Sequence, residues 1–172
     1  MTPRPKIYDE QVTATLLDML VPKVLQWMKD ACDDQEMSSE DLEILRNDVA
    51  EAIDYEGDSY QIVKELERNC SWTVNRDLIS VMDNVGALRH RAHDSIVEAW
   101  VTQHGISPEF SVGSRVAFKD RTGDHLGEVT KVDTKRAQYV VFCEGLGHVR
   151  KGHGSYGTYL PYEDVTGEQL KL

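Results

Sequence analysis

Cysteine is scarce in this sequence of 172 residues, which has three cysteines and no CxxC pair. Cys32, Cys70 and Cys143 are odd in number and far apart, so we expect neither a disulfide framework nor a cysteine-rich zinc site. Few and unpaired cysteines suit a reducing compartment, and they favour a cytoplasmic location.

Long apolar runs are also missing, because no stretch approaches the roughly 18 residues that a membrane span needs. The first residues, MTPRP, are not followed by the apolar core of a secretory signal. We therefore expect a protein that neither spans a membrane nor is secreted.

Motifs of the common enzyme classes are absent from the sequence as well. It contains no nucleophile elbow, no HExxH zinc motif, no dinucleotide-binding glycine fingerprint and no kinase motif set. We therefore predict that the protein is not an enzyme, and we assign no catalytic residue, no cofactor and no metal ligand.

Basic residues are fewer than acidic residues in the first part of the chain only. The whole sequence carries a net charge of −11. Residues 1–105 hold 21 acidic and 10 basic residues, whereas residues 106–172 hold nine of each. This asymmetry predicts two units with different surfaces. An acidic surface repels nucleic acid and attracts basic protein surfaces, although a need for solubility would also explain the charge.

Apolar residues that recur at steps of three and four predict four helices in the first part. The first helix covers residues 8–32, and Pro22 should kink it or divide it into two. The second helix follows a capping serine, either Ser38 or Ser39. Short connections between the helices favour an antiparallel bundle.

The third predicted helix begins at a capping pair formed by Asp58 and Gln61, and Trp72 should fill the core after its end. The fourth covers residues 75–104 and has the longest apolar seam. Such a seam packs in a core or in a homodimer interface, and the sequence leaves both open.

Short β-rich runs replace the helical pattern after about residue 106. The runs begin near Arg115, Gly127, Tyr139 and Thr158, and glycine-containing turns separate them. Strands this short and closely spaced favour a small closed barrel. The sequence therefore predicts an α+β protein with an acidic helical bundle at 1–105 and a β-barrel at 106–172.

The last third of the chain resembles SH3-like barrels of the KOW and Tudor type. The resemblance lies in VGSRVAF at 112–118, GEVTKV at 127–132 and LPYEDV at 160–165. It implies an SH3-like fold, and such barrels bind RNA, DNA, peptides or other proteins.

The helical part is similar to accessory proteins of phages and other mobile elements. The similarity lies in SYQIVKELERN at 59–69 and HDSIVEAWVTQHGI at 93–106. It implies a non-enzymatic protein that binds and inhibits a host nucleic-acid-handling or defence complex, in the cytoplasm of the host cell.

A series of carboxylates along the helical part is the first candidate site. On a rigid bundle, such carboxylates would imitate nucleic-acid phosphates and bind a basic protein surface, with a salt-dependent affinity. They would otherwise be solvated helix ends and loops. The predicted acidic face consists of Asp30, Asp33, Asp34, Glu36, Glu40, Asp41, Glu43, Asp54, Glu56 and Asp58, and Glu51 belongs to the same series.

A basic set on the barrel is the second candidate, and it leads to the alternative of a nucleic-acid-binding protein. Neighbouring acids reduce its charge, so a solvated surface also explains it. A glycine-rich loop at 145–157 contributes two of its bases, and glycine lets a phosphate approach the backbone. The predicted nucleic-acid-binding residues are Lys119, Arg121, Lys131, Lys135, Arg136, Arg150 and Lys151.

A histidine group near the end of the fourth predicted helix is the third candidate. His90 and His93 are three residues apart and Asp94 is adjacent, so the three side chains have the types that bind zinc or iron. The spacing lacks the surroundings of a metalloenzyme motif, and packing explains the same residues. We therefore predict no metal site.

Overall fold

The computed structural model describes residues 3–31, 37–54, 58–146, 150–151, 154–155 and 157–167, with the side chains of all but 54, 150, 151, 154 and 155. The fold is α+β, with helices in the N-terminal part and an antiparallel sheet in the C-terminal part. The chain divides into two compact units, residues 1–96 and 97–172. The predicted domain boundary after residue 105 stays a prediction.

Helices account for nearly all regular structure of the first unit. None of the helices within the described ranges combines the length and the apolar character that a membrane crossing requires. The first four helices lie within the first unit, and the fifth begins there and ends in the second. The helices are α1 (Glu10–Ala31), α2 (Ser39–Asp54), α3 (Ser59–Asn69), α4 (Arg76–Met82) and α5 (Val85–His104).

Helix α1 continues through Pro22 as one helix, so it is not divided in two. Leu16 and Leu20 before the proline and Val24 after it are all buried in one apolar core. Proline removes only one backbone hydrogen bond, and burial of this apolar stripe on both sides compensates for the loss.

Both predicted caps form in the structure. The Ser38 hydroxyl accepts a hydrogen bond from the Asp41 amide at 3.2 Å, and the Asp41 carboxylate accepts one from the Ser38 amide at 3.0 Å. Ser38, rather than Ser39, is therefore the capping serine of α2. At the start of α3, the Asp58 carboxylate accepts a hydrogen bond from the Gln61 amide at 3.0 Å.

The single helix predicted over 75–104 is wrong, because the chain divides it into α4 and α5 at Asp83 and Asn84. The Asn84 carbonyl accepts the Leu88 amide at 2.9 Å and so starts α5, while the Ser59 hydroxyl donates to the Asp83 carboxylate. Met82 and Val85 are buried in the same core on either side of the break. The apolar seam therefore stays intact although the helix does not.

The second unit contains strands β1 (Arg115–Asp120), β2 (Gly123–Asp133), β3 (Gln138–Phe142), β4 (Arg150–Lys151), β5 (Gly154–Ser155), β6 (Thr158–Pro161) and β7 (Val165–Gly167). Five of them form a curled antiparallel sheet in the order β6-β3-β2-β1-β7. Strands β4 and β5 pair with each other. The strands predicted at Arg115, Gly127, Tyr139 and Thr158 are thus present, with longer first and second strands.

Alternate residues of the strands form the inner, apolar face of the sheet. Val116, Phe118, Val129, Tyr139 and Val141 are all buried in one cluster. A register shift between 129 and 131 marks a bulge in β2, and bulges increase the bend of a sheet. The sheet therefore curls around its own apolar core.

A buried tyrosine connects the sheet to the segment that precedes it. The Tyr139 hydroxyl accepts two backbone hydrogen bonds, from the Glu109 amide at 2.9 Å and from the Phe110 amide at 3.0 Å. Its ring packs against Tyr162, with centroids 4.4 Å apart, and against Phe110 at 5.9 Å. One side chain thereby fixes the chain as it enters the sheet.

The turn between β1 and β2 is built around the Asp120 carboxylate. Its Oδ1 accepts hydrogen bonds from the Thr122 amide at 2.7 Å, the Thr122 hydroxyl at 2.6 Å and the His125 Nε2 at 2.9 Å. The Thr122 hydroxyl and amide and the His125 ring lower the pKa of Asp120 well below its ordinary value. The ionised carboxylate is therefore the form that the turn stabilises.

Substitution of Asp120 by alanine should lower the melting temperature most above about pH 4, the ordinary pKa of an aspartate. A lowered folded-state pKa stabilises the fold above the unfolded pKa, and this contribution is lost as the pH falls through the folded value. Thermal unfolding of both proteins from pH 7 to pH 2 tests this. Asp124→Ala is the control, because the Asp124 side chain is 87% exposed. It should change the melting temperature little at any pH. An equal difference at pH 7 and pH 2 would contradict the assignment.

Candidate protein-binding surface

The acidic face predicted from the sequence is exposed wherever the structure describes it. The side chains of Asp30, Glu40, Asp41, Glu43 and Asp58 are all solvent-exposed. The remaining members lie outside the described residues or, for Asp54, have no described side chain; these are Asp33, Asp34, Glu36, Asp54 and Glu56.

Three of the exposed carboxylates are engaged in local structure. Asp41 and Asp58 cap α2 and α3 through the hydrogen bonds described above, and the bonds from Ser38 lower the pKa of Asp41. Asp30 accepts a hydrogen bond from Gln26 at 2.8 Å within α1. Among the members of the predicted face whose side chains are described, Glu40 and Glu43 make no such local hydrogen bond.

The outward side of α2 supplies that surface. Glu40, Glu43 and Glu51 are exposed at steps of three and eight residues, which places them on one side of the helix. Leu45 and Val49 on the opposite side are buried. We call Glu40, Glu43 and Glu51 the α2 acidic face.

The α2 acidic face has no compensating cations in the described part of the chain. No described lysine, arginine or histidine lies within ion-pair distance of its three carboxylates. Arg46 is the one basic residue of α2, and it pairs with Asp18 of α1 at 2.8 Å. Ile44, which is 54% exposed, lies beside the glutamates. The surface therefore combines negative charge that no described cation pairs with and an accessible apolar side chain.

The basic set predicted on the barrel is partly neutralised by local acids. Lys119 lies 3.9 Å from Asp124 and Lys135 lies 3.1 Å from Glu98. Arg136 lies 3.4 Å from Asp133. These pairs reduce the positive potential that a phosphate backbone would meet.

Two members of the basic set are exposed without such an acid. Arg121 lies in the turn between β1 and β2, and Lys131 lies on β2, and neither has an ion pair among the described residues. Arg150 and Lys151 form β4, and their side chains are not described. Residues 147–149, 152–153 and 156 of the glycine-rich loop at 145–157 also lie outside the described residues.

The histidine group does not converge on one point. His93 lies 3.1 Å from the Pro5 carbonyl, and His90 is exposed. Across the described ranges, no three histidine, cysteine, aspartate or glutamate side chains are placed to hold a metal ion together. His90, His93 and Asp94 are therefore not brought together as one group among the described residues.

A pair of tryptophans near α2 was not predicted as a site. The rings of Trp27 and Trp72 are parallel within 3°, with centroids 6.4 Å apart. The Trp72 indole N–H donates to the Asp48 carboxylate at 2.7 Å, and the Trp27 indole N–H donates to the Asn75 side chain at 3.0 Å. Both side chains are only partly buried, so Trp72 does not fill the core as predicted but lies at its edge.

Comparison with protein families, curated proteins and solved structures found no match to the chain. No residue role can therefore be transferred from a relative. The resemblances to KOW and Tudor barrels and to phage accessory proteins stay predictions.

Proposed function

We propose that this chain is a non-enzymatic accessory protein of a phage or mobile element. The α2 acidic face binds a basic surface on a host nucleic-acid-handling or defence complex and thereby inhibits that complex. The second unit is an SH3-like barrel that adds a contact or orients the helical unit.

The unpaired charge of the α2 acidic face carries this proposal. A folded protein of this composition has enough lysine and arginine to pair many of its carboxylates, and Arg46 and Lys64 do pair with Asp18 and Glu67. Glu40, Glu43 and Glu51 instead point away from the core without a described cation partner. Uncompensated charge of one sign raises the association rate with a surface of the opposite sign.

The topology of the sheet supports the SH3-like part of the proposal. Strands β1, β2 and β3 follow one another as antiparallel neighbours, and β7 returns to pair with β1. A short 3₁₀ helix, Tyr162–Asp164, lies between β6 and β7. The last strand thereby covers the edge of β1, as the last strand of a small barrel does, and β6 and β7 form the two ends of the sheet.

Charge reversal on the α2 acidic face should weaken partner capture. In the double variant Glu40→Lys/Glu43→Lys we expect capture of the host partner to fall about tenfold, because two attractive charges become repulsive. Affinity capture from a host lysate, with mass spectrometry and a nuclease-treated arm, measures the loss. Wild-type capture should also decrease as the salt concentration rises.

The matched control is Glu144→Lys/Asp164→Lys, which changes the net charge by the same amount at two exposed residues of the second unit. This control should capture the partner as well as the wild type does. Equal capture by both double variants would refute the acidic-face mechanism. Loss of all capture in the nuclease-treated arm would instead favour the nucleic-acid-binding alternative through Arg121 and Lys131.

A further inference from the structure

The Trp27 and Trp72 rings are held in place by polar contacts at their edges. Asp48 on α2 accepts the Trp72 indole N–H, and Asn75 accepts the Trp27 indole N–H while it also caps α4 through the Asp77 and Leu78 amides at 3.0 Å each. The two rings are parallel within 3° and both pack against the apolar core of the first unit. Both residues are only partly buried, so part of each tryptophan is accessible to solvent.

The chain reversal after α3 brings Trp72 back to the helices. The Trp72 amide donates to the Leu66 carbonyl at 3.1 Å, and Ser71 adopts a left-handed backbone conformation with φ of 58°. Such a reversal is a common end for a helix. The backbone of Trp72 is thus held by Leu66 and its ring by Asp48.

Carboxylates gather around the edge of this aromatic pair. Asp48 accepts the Trp72 indole N–H, and Glu51 follows it three residues later on α2, so the two side chains are neighbours on the helix surface. Burial raises the pKa of the Cys70 thiol, and the negative charges of Asp48, Glu51 and Glu65 act in the same direction. Arg68 approaches Glu65 only to 3.8 Å and is 76% exposed. No described cation lies within ion-pair distance of Asp48 or Glu51.

Tryptophan rings next to carboxylates that have no described cation partner match the chemistry of an organic cation. A cation over an indole face is attracted by the negative charge of the π system, and tryptophan is the strongest of the aromatic residues in this respect. A guanidinium is planar, stacks on such a face and donates to a carboxylate with the same group. A lysine ammonium stacks less well because it is compact and strongly hydrated.

We propose that Trp27, Trp72, Asp48 and Glu51 form a binding site for an arginine side chain of the basic partner. The inference rests on the proposed function and adds the residue type that the partner inserts. Glu51 belongs both to this site and to the α2 acidic face, so one basic segment of the partner would contact the α2 acidic face and place its arginine on the tryptophans.

Titration of the full chain with a short arginine peptide, acetyl-(Gly-Arg)3-amide, tests the site. We expect the indole N–H signals of Trp27 and Trp72 to shift in the NMR spectrum, and the signal of Trp100 to stay in place. The matching lysine peptide should cause smaller shifts, and the citrulline peptide, which has the same shape without the charge, should cause none.

Two variants test the individual contributions. Glu51→Gln keeps the size of an exposed side chain and should weaken binding of the arginine peptide about threefold, as expected for a single exposed charge pair. Trp27→Phe should weaken it about fivefold, measured at the Trp72 signal, because phenylalanine is a weaker cation acceptor. Glu10→Gln on α1 is the charge control and should leave the affinity unchanged.

The inference is overturned if neither signal moves at millimolar peptide, if the citrulline peptide shifts both equally, or if Glu51→Gln has no effect. The tryptophans would then be packing residues only. This failure differs from failure of the proposed function, which would appear as full partner capture by Glu40→Lys/Glu43→Lys. The peptide titration contains no partner and leaves Glu40 and Glu43 unchanged.

Discussion

Replacement of Tyr139 by phenylalanine is expected to lower the free energy of unfolding of the second unit by about 2–3 kcal/mol. The substitution keeps the buried ring and its packing against Tyr162 and Phe110. It removes the oxygen that accepts the Glu109 and Phe110 amides. Each part-buried donor left without an acceptor costs about 1–3 kcal/mol, and chain movement to reach water recovers part of that cost.

Urea unfolding followed by circular dichroism measures the loss, and amide hydrogen exchange locates it. Exchange at Glu109 and Phe110 should accelerate in Tyr139→Phe more than exchange elsewhere in the sheet. Tyr159→Phe is the control, because its side chain is 60% exposed and its loss should change stability by less than about 0.5 kcal/mol. Equal stability of the two variants would show that the hydroxyl does not fix the segment before β1.

The sequence predicted those parts of the fold that depend on local chemistry. At Ser38 and at Asp58, the capping side chain accepts a hydrogen bond from the amide three residues later. The geometry of the first helical turn places that amide within reach in any helix, so the sequence alone predicts both caps. The strands were predictable because apolar and polar residues alternate along each of them, and this pattern can be read from one strand without the others. Features of this kind need no knowledge of the rest of the chain.

Features that depend on tertiary contacts were predicted less well. The division between α4 and α5 involves a hydrogen bond from Ser59 to Asp83, two residues that are far apart in sequence. The continuity of α1 through Pro22 likewise depends on a core to which the other helices contribute. In both places local propensity and tertiary packing disagree, and packing decides the result.

For the candidate site, too, local features were predictable from the sequence and tertiary contacts were not. Exposure of the acidic residues was predictable from composition, since charged side chains are seldom buried. Their different roles were not predictable, because Asp41 and Asp58 are capping residues, whereas Glu40 and Glu43 have no ion-pair partner among the described residues. Trp27 and Trp72 come together from α1 and the connection between α3 and α4, and no spacing in the sequence indicates this pairing.

A close approach of β2 and β3 leaves no room for a side chain at Gly127. A Cβ at this position would lie 2.4 Å from the Val141 Cγ1 and 2.7 Å from the Phe142 carbonyl oxygen. One of these atoms belongs to the backbone of the neighbouring strand and cannot rotate away. The bulge of β2 begins at Val129, two residues later. The glycine therefore lies next to the bend of the sheet.

Gly127→Ala should therefore lower the free energy of unfolding of the second unit by about 3 kcal/mol, the upper range for an overpacked core. Urea unfolding measures the change. The cost should be smaller when Gly127→Ala is made in a Val141→Ala background, because the shorter side chain relieves one of the two clashes. The residual cost then belongs to the Phe142 carbonyl.

Gly86→Ala is the matched control, since a Cβ there meets no atom within 4 Å and the residue lies in α5. It should stabilise the chain by about 0.5 kcal/mol through the higher helix propensity of alanine. If Gly127→Ala were as harmless as Gly86→Ala, β2 and β3 could separate at little cost, and the curl of the sheet would not depend on their close approach. An unchanged cost in the Val141→Ala background would assign the whole effect to the backbone clash.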